Sequence, residues 1–565
     1  MVWKGRMRVC FANASDSFSG IDRSMPMMTG AQALIAQLVA EQVEHLFVLP
    51  GVQIMNALDA LHEQRDHISL IHTRHEQATT YMADGYAKVT GRVGVAMVVP
   101  GPGALNAASG LGTAYASSSP VLMISGQIPS AAQGKRLGEL HEIDEQLDVF
   151  APITKWSHRV ASAEDIPEAV HEAFRQLKTG RPRPALLEVP PDILAASAEA
   201  TIIDAESYAA PAADEAAIAR AAAFLSKAER LVIIAGGGTV DYSAELIALA
   251  EWLQAPVIMS QQSKGVIPDD HPLSLGVSYV VGPLKECLAM SDAVLAIGTR
   301  LAIRDYDSDA MPPVVHMDID ASEIGKVYAT EVGIVADAGR AMAQLLDALR
   351  GCGAARAPRG EEVTARRRAF RDRIRAMAPE QTAMIDTLRA VLDDDAILVS
   401  GITNIGYWSN VIYPAMRPRG TVTSSYFGTL GFAFPTALGA KIAHPDRQVV
   451  ALCGDGGFMF SPQELSTAMR YGINVVVIVF NNNAYGASRW DQMHRFGERF
   501  IATDLHNPDF VKLAESFGAI GMRCDPAGLG EMLEKALAAD APVLLEVEVP
   551  VMMPPFQIIS KTEAP

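Results

Sequence analysis

The chain has 565 residues, 49% of them hydrophobic, and a formal net charge of −18. That length exceeds what one core can organise and predicts about three or four domains, with ample apolar side chains to fill them. The acidic balance, with no basic stripe, argues against nucleic acid or an anionic membrane as a partner. The five cysteines (Cys10, Cys287, Cys352, Cys453, Cys524) are scattered, without metal-ligand spacing. Such usage fits a reduced, cytoplasmic compartment. No apolar run is long enough to span a bilayer.

Residues 1–28 are irregular and Met-rich, lack a signal-peptide core, and read as a disordered tail. Residues 29–195 alternate helix and strand. A helix over Gly30–Gln42 is followed by a strand at His45–Leu49, a helix at Gln53–Gln64 and a strand at Ile68–Thr73. A helix then runs from about Glu76 to Lys88, with strands at Gly94–Val99 and Pro120–Ser125 around a helix at Ala104–Ala116. This rhythm predicts a parallel sheet with right-handed crossovers. Gln127 ends one strand as a polar group at the sheet's carboxyl edge, and His141 lies in a polar loop. Ala151–Ser157 reads as the segment that closes this sheet.

Residues 196–215 are Ala-rich and read as a linker. A second α/β unit spans 216–350, with strands at Leu231–Ala235, Val257–Ile258, Ala293–Ile297 and Val314–Ile319. The order strand, glycine, helix predicts a Rossmann-like sheet, although no G-x-G-x-x-G is present. Residues 351–378 form a Gly/Arg-rich linker and a basic helix whose charges read as a solvated face. The last domain covers 379–553, and 554–565 is a Pro-rich tail.

Within that last domain, Val449–Cys453 is an apolar strand that breaks at Gly454-Asp455-Gly456-Gly457. A helix follows, with Ser461 and Glu464 at capping-box spacing. A second strand, Asn474–Phe480, ends in Asn481-Asn482-Asn483. Ligands bind at the carboxyl ends of strands in open parallel sheets. Asp455 and Asn482 therefore fall at one edge, beside a helix N-terminus that favours anions. Hard oxygen ligands there suit Mg²⁺ carrying a diphosphate. A glycine turn and an asparagine turn in an ordinary α/β protein would have the same sequence.

The 27-position spacing from Asp455 to Asn482 resembles the GDG…NN signature of thiamin diphosphate (ThDP) enzymes. The resemblance extends from Gly30 to Val551, and its overall pattern is most similar to acetolactate synthase large subunits within the 2-oxo acid decarboxylase and benzaldehyde lyase superfamily. It implies Mg²⁺ held by Asp455, Asn482 and the Ala484 carbonyl, with Gly454, Gly456, Gly457, Tyr485 and Gly486 around the cofactor. Glu76-Gln77-Ala78 followed by Ala83-Asp84-Gly85-Tyr86-Ala87 resembles the motif whose glutamate hydrogen-bonds the aminopyrimidine and shares a proton with it. In Ser424–Phe432, the resemblance assigns Leu430 as the apolar wedge under the cofactor and the Gly428 carbonyl as acceptor for its amino group. Pro100–Asn106 resembles the GPG loop of acetolactate synthases. It further implies an α/β protein of three domains: pyrimidine-binding, central Rossmann-like and diphosphate-binding. The cofactor would lie between subunits of a homodimer or a dimer of dimers.

His316–Asp320 with Glu323–Lys326 resembles the family's central domain, which holds FAD in some members and in others is empty or binds a nucleotide. Gly298-Thr299-Arg300 stands where FAD-binding members carry a glycine-arginine pair, and Arg304-Asp305 only loosely matches the stretch that follows. The family chemistry is ThDP addition to a carbonyl. The first expectation is decarboxylation of a 2-oxo acid such as pyruvate and ligation to a second carbonyl, with Glu76, Gln127 and His141 as catalytic candidates. The segment that selects the acceptor departs from the pattern. Ala487 replaces the usual Met, and Trp490 arrives one position early. A 2-oxo acid decarboxylase, or a lyase acting on 2-hydroxy ketones or 2-hydroxyacyl substrates, is the alternative. An inactive cofactor-binding paralogue would have no need of Glu76, Asp455 and Asn482 together.

Overall fold

The computed structural model describes residues 27–277, 286–302, 311–353 and 356–555. The two expected tails therefore lie outside the described residues, apart from a residue or two at their inner ends. So do Arg304 and Asp305.

Three six-stranded sheets, parallel throughout, carry the chain. In the first, the strands lie in the order Ser69–His72, His45–Val48, Gly94–Val98, Val121–Gly126, Ala185–Val189 and Trp156–Arg159. In the last, the order is Thr421–Thr423, Ile397–Ser400, Val449–Gly454, Val476–Asn481, Val543–Glu548 and Ile520–Cys524. Numbered along each domain, both sheets read 2-1-3-4-6-5. The central sheet instead reads 3-2-1-4-5-6, running from Ser274–Val277 through Leu231–Ala235 to Thr330–Val335. That is the order of dinucleotide-binding sheets, as the pattern strand, glycine, helix predicts. Strands such as Val121–Gly126 and Leu231–Ala235 are buried along their whole length, which explains their unbroken apolar runs.

The first and last domains share one core. Helices Glu76–Thr90 and Ala433–Ala443 cross so closely that their glycines are obligatory. A Cβ on Gly85 would lie 2.2 Å from the Thr436 carbonyl oxygen, and one on Gly439 would lie 2.0 Å from that of Met82. Tyr81 packs edge-on against Phe432 beside this crossing. The central domain encloses its own apolar core.

Two connecting segments differ from expectation. Residues 196–215 are not a free linker: Ser197–Glu199 pairs with Met27–Thr29, and Gln37 clamps Ile203 through both backbone groups at 2.8 Å. The arginines around helix Gly360–Met377 do not merely solvate it. Arg367 donates to the His271 and Ser274 carbonyls, Arg371 to Ile412 O and Arg359 to Leu231 O. Guanidinium groups here tie the central domain to the last one through backbone carbonyls. No helix among the described residues is long and apolar enough to cross a membrane.

Candidate active site

Two groups of side chains stand at the carboxyl edges of the first and last sheets. In the last domain, the strand Val449–Gly454 runs straight into a one-turn helix, Asp455–Phe458. Asp455 is 2% exposed. It accepts a hydrogen bond from Asn507 Nδ2 at 2.7 Å. Burial pushes its carboxyl up from the usual range, while Asn507 and the N–H groups of Gly456 and Ala484 pull it back. Among the described residues no cation pairs with it. A buried carboxylate without a counter-charge is costly, so this one suits a metal ion. Among the described residues Asn482 Oδ1 accepts only from Ala484 N, at 3.1 Å, and keeps lone-pair capacity. Asn481 is committed to the protein instead, donating to Glu546 and accepting from Asn483 N and Asn507. Tyr485 lies against Gly456, where a Cβ would meet its ring at 2.6 Å, and Gly486 packs on the Asn482 amide.

A cleft opens between Gly401, Ile402, Leu430, Gly454 and Gly457. Gly401 and Ile402 on its wall lead into helix Asn404–Ile412, whose N-cap residue Thr403 makes no side-chain capping bond. Free N–H groups at a helix start suit a diphosphate. Gly428 is left-handed (φ 61°) and ends the turn that delivers Leu430, which is why glycine stands there.

In the first domain, Glu76 opens helix Glu76–Thr90, next to N-cap His75, whose Nδ1 accepts from Gln77 N. Its Oε2 accepts from Asn106 Nδ2 at 3.0 Å. Gly103 of the Pro100–Gly103 loop sits where a Cβ would be 3.5 Å from Glu76 Oε1. The segment entering Glu76 is held by the last domain. Glu464 accepts from Arg74 N at 3.0 Å, and Tyr471 hydroxyl bonds His72 Nδ1 at 2.7 Å. The capping box expected of Ser461 and Glu464 is thus absent: Ser461 makes no capping bond, because the Glu464 side chain is engaged across the domain boundary. Burial pushes the Glu464 carboxyl up to about 7.

The other predicted residues fall elsewhere. Gln127 is 2% exposed and not open at the edge; its amide donates to Glu188 and accepts from Ile128 N. Glu188 also binds Gln146, which in turn accepts from Gly101 N at 2.8 Å. Gln127 therefore belongs to a buried network that shapes the Gly101 loop. His141 is left-handed (φ 72°), its carbonyl abuts Gly101, and its Nδ1 is buried without a partner. Ala487 and Trp490 lie on helix Gly486–Arg495, which buries none of its residues, and Trp490 stacks on His494. Among the described residues no hydrogen bond joins Glu76 to the Asp455 group. The site residues not anticipated from sequence are Asn507, Glu464 and Gly401–Thr403. A strand-then-glycine signal at Val399-Ser400-Gly401 marks the last of these.

Comparison with known proteins identifies the domains. The family model "Thiamine pyrophosphate enzyme, N-terminal TPP binding domain" matches residues 28–151. The central-domain model matches 218–345 and the "C-terminal TPP binding domain" model matches 401–547. The chain belongs to the thiamine pyrophosphate enzyme family. It is 34% identical to a probable acetolactate synthase large subunit of Methanocaldococcus jannaschii, covering 92% of each chain. It is 33% identical to the isozyme 1 large subunit of acetolactate synthase from Escherichia coli, covering 95% of this chain and 98% of that one. It is 35% identical to a probable 2-ketoarginine decarboxylase of Pseudomonas aeruginosa, over 88% of this chain and 90% of that one. This is a ThDP-dependent enzyme of the acetolactate synthase and decarboxylase group.

A cavity of about 910 Å³ in this thiamine pyrophosphate enzyme lies elsewhere. It opens at the carboxyl edge of the central sheet, where Gly236 and Gly298 end adjacent strands. This is the switch point of a 3-2-1-4-5-6 sheet, where nucleotides bind. Asp318 lines it, its carboxyl raised to about 6 by burial. Arg300 is engaged there with the Tyr426 ring and the Ala116 carbonyl.

Proposed function

We propose that the enzyme uses ThDP and Mg²⁺ to decarboxylate a 2-oxo acid and to ligate the retained fragment to a second carbonyl, as an acetolactate synthase-like carboligase. Asp455, Asn482 and the Ala484 carbonyl would hold Mg²⁺, and the cleft between Gly401 and Gly457 would take the diphosphate. ThDP supplies the nucleophilic carbon and the electron sink. Glu76 holds and exchanges a proton at its carboxyl, with Asn106 fixing the orientation of that group. Leu430 and the Gly428 turn shape the apolar floor, and the Gly101 loop keeps Gly103 against Glu76.

What supports ligation over simple decarboxylation is the similarity to acetolactate synthase large subunits over more than nine-tenths of the chain. Among the described residues the Glu76 carboxylate is hydrogen-bonded only by the Asn106 amide. A second reading, a decarboxylase, draws on two facts: the similarity to a 2-ketoarginine decarboxylase, and the unburied helix bearing Ala487 and Trp490, which leaves room for a longer side chain. A panel of 2-oxo acids, including 5-guanidino-2-oxopentanoate, assayed with ThDP and Mg²⁺ for CO₂ and ligated product, separates them. Acetolactate from pyruvate supports the first; aldehyde in step with CO₂, and no ligated product, supports the second.

The proposed assembly is a homodimer, alone or paired into a tetramer, in the cytoplasm. Its support is exposed apolar surface in the first and last domains, where Val52 is 73% and Ile501 75% exposed and Met55, Leu140 and Phe460 are also exposed. The central cavity is offered to FAD or another adenine nucleotide; a yellow purified protein would decide for FAD.

A further inference from the structure

Gly401 and Ile402, which line the diphosphate cleft, lead through the N-cap Thr403 into one helix, Asn404–Ile412. Its far end is held by cations. Lys264, from the central domain, donates to the carbonyls of Ser409 at 2.8 Å and Asn410 at 3.1 Å. Arg371 donates to Ile412 O at 3.3 Å. Lys264 is only 4% exposed, and among the described residues no carboxylate lies within ion-pair distance of it. Its loop is locked in place. Asp269 exchanges two hydrogen bonds with Ala415, its N–H donating at 3.1 Å and its Oδ2 accepting at 2.8 Å. Gly265, at φ +86°, leaves no room for a Cβ, which would meet Arg417 O at 2.2 Å.

Burying an ammonium without a counter-ion costs several kcal/mol unless its charge is used. Here the charge meets the negative end of a helix, whose partial charge is roughly half an electron at each terminus. Neutralising the C-terminal end leaves the positive potential of the N-terminal end less opposed, and that end faces the cleft for an anion. None of the residues lining the cleft comes from the central domain.

We infer that Lys264 is a positioning residue for the cofactor's diphosphate, through which the central domain sets cofactor affinity without touching the cofactor. This rests on the diphosphate reading of the cleft. The charged groups facing Lys264 are Asp269, which favours its protonated form, and Arg371, which opposes it; with burial, they leave its amine at about 8. Diphosphate binding favours the protonated amine, so wild-type affinity falls as pH rises through that value.

The test is titration of the full-length protein with ThDP in saturating Mg²⁺, followed by tryptophan fluorescence or calorimetry. Lys264→Met should weaken binding by about three- to tenfold, and Arg371→Met by about twofold in the same direction. Lys264→Arg should restore the affinity and abolish its fall at high pH. Wild-type affinity in Lys264→Met overturns the inference, as does equal loss in Lys264→Arg and Lys264→Met. Should Lys264→Met not fold, Arg371→Met carries the test, and unchanged affinity there overturns the inference too. A wild-type protein that binds no ThDP refutes the cleft assignment itself, which is a distinct result.

Discussion

The first and last domains have the same strand order, 2-1-3-4-6-5, yet the proposed function gives their strand-end carboxylates different roles. In the first, the carboxylate follows the second strand and sits on a helix start, flanked by an amide and a glycine loop. In the last, the carboxylate follows the third strand and accepts from Asn507, which also bonds Asn481 at the end of the fourth. Topology fixes where an edge lies. The side chain delivered there, and what compensates its charge, decides whether the edge moves a proton or holds a metal. Neither carboxylate is paired with a cation among the described residues, and the proposed function gives each a different role: proton exchange with the cofactor for Glu76, a metal ion for Asp455.

The sharpest way to break this comparison is to remove each carboxylate in turn. Asp455→Ala should weaken Mg²⁺-dependent ThDP binding by about a hundredfold or more, since even outer-shell partners of a metal are worth roughly ten- to a hundredfold. Glu76→Gln should bind ThDP within a few-fold of wild type while kcat drops about 10²- to 10⁴-fold. Titration calorimetry and steady-state kinetics on both variants check the split. Equal loss of binding in the two would erase the distinction.

Smaller effects should follow from the supports. Asn507→Ala leaves Asp455 without its side-chain donor and should cost roughly ten- to a hundredfold in Mg²⁺ affinity, with kcat at saturating metal little changed. Gly85→Ala forces a Cβ against the Thr436 carbonyl at 2.2 Å. It should destabilise the pairing of the two domains by about 1–3 kcal/mol, read as a lowered denaturation midpoint. Glu464 supplies a pH test. Its folded value, about 7, lies above the ordinary 4.5, so the stability it contributes is fully present below the ordinary value and is lost as pH rises through 7. Glu464→Gln keeps an acceptor for Arg74 N and does not ionise. Its melting temperature relative to wild type should therefore rise between about pH 5 and about pH 8. A constant difference across that range would refute the assignment.

Much of this was legible in the sequence because the decisive signals are local. An apolar run ending in Gly-Asp-Gly, and another ending in three asparagines, place two ligand-bearing strand ends without any knowledge of packing. The glycines at 236 and 298 marked the central sheet in the same way. Contacts made across the chain were not legible. Asn507 reaches Asp455 from 52 positions away. Glu464 had the spacing of a helix cap and was recruited instead by Arg74, 390 positions distant. Gln127 looked like an open strand-end amide, yet the buried Glu188 beneath it claims its donor. The basic helix looked solvated because sequence cannot reveal that carbonyls of two neighbouring domains face it.

The central claim is that Glu76 and Asp455 of one chain serve different active sites, completed by a second copy. Co-expression of Glu76→Gln and Asp455→Ala chains under two affinity tags, with purification of the mixed dimer, tests it directly. One site would then carry both defects and the other neither. The mixed dimer should recover about half of wild-type activity per dimer, although each parent is nearly inactive. A mixed dimer as inactive as its parents would contradict the claim, because both residues would then have to act within a single chain.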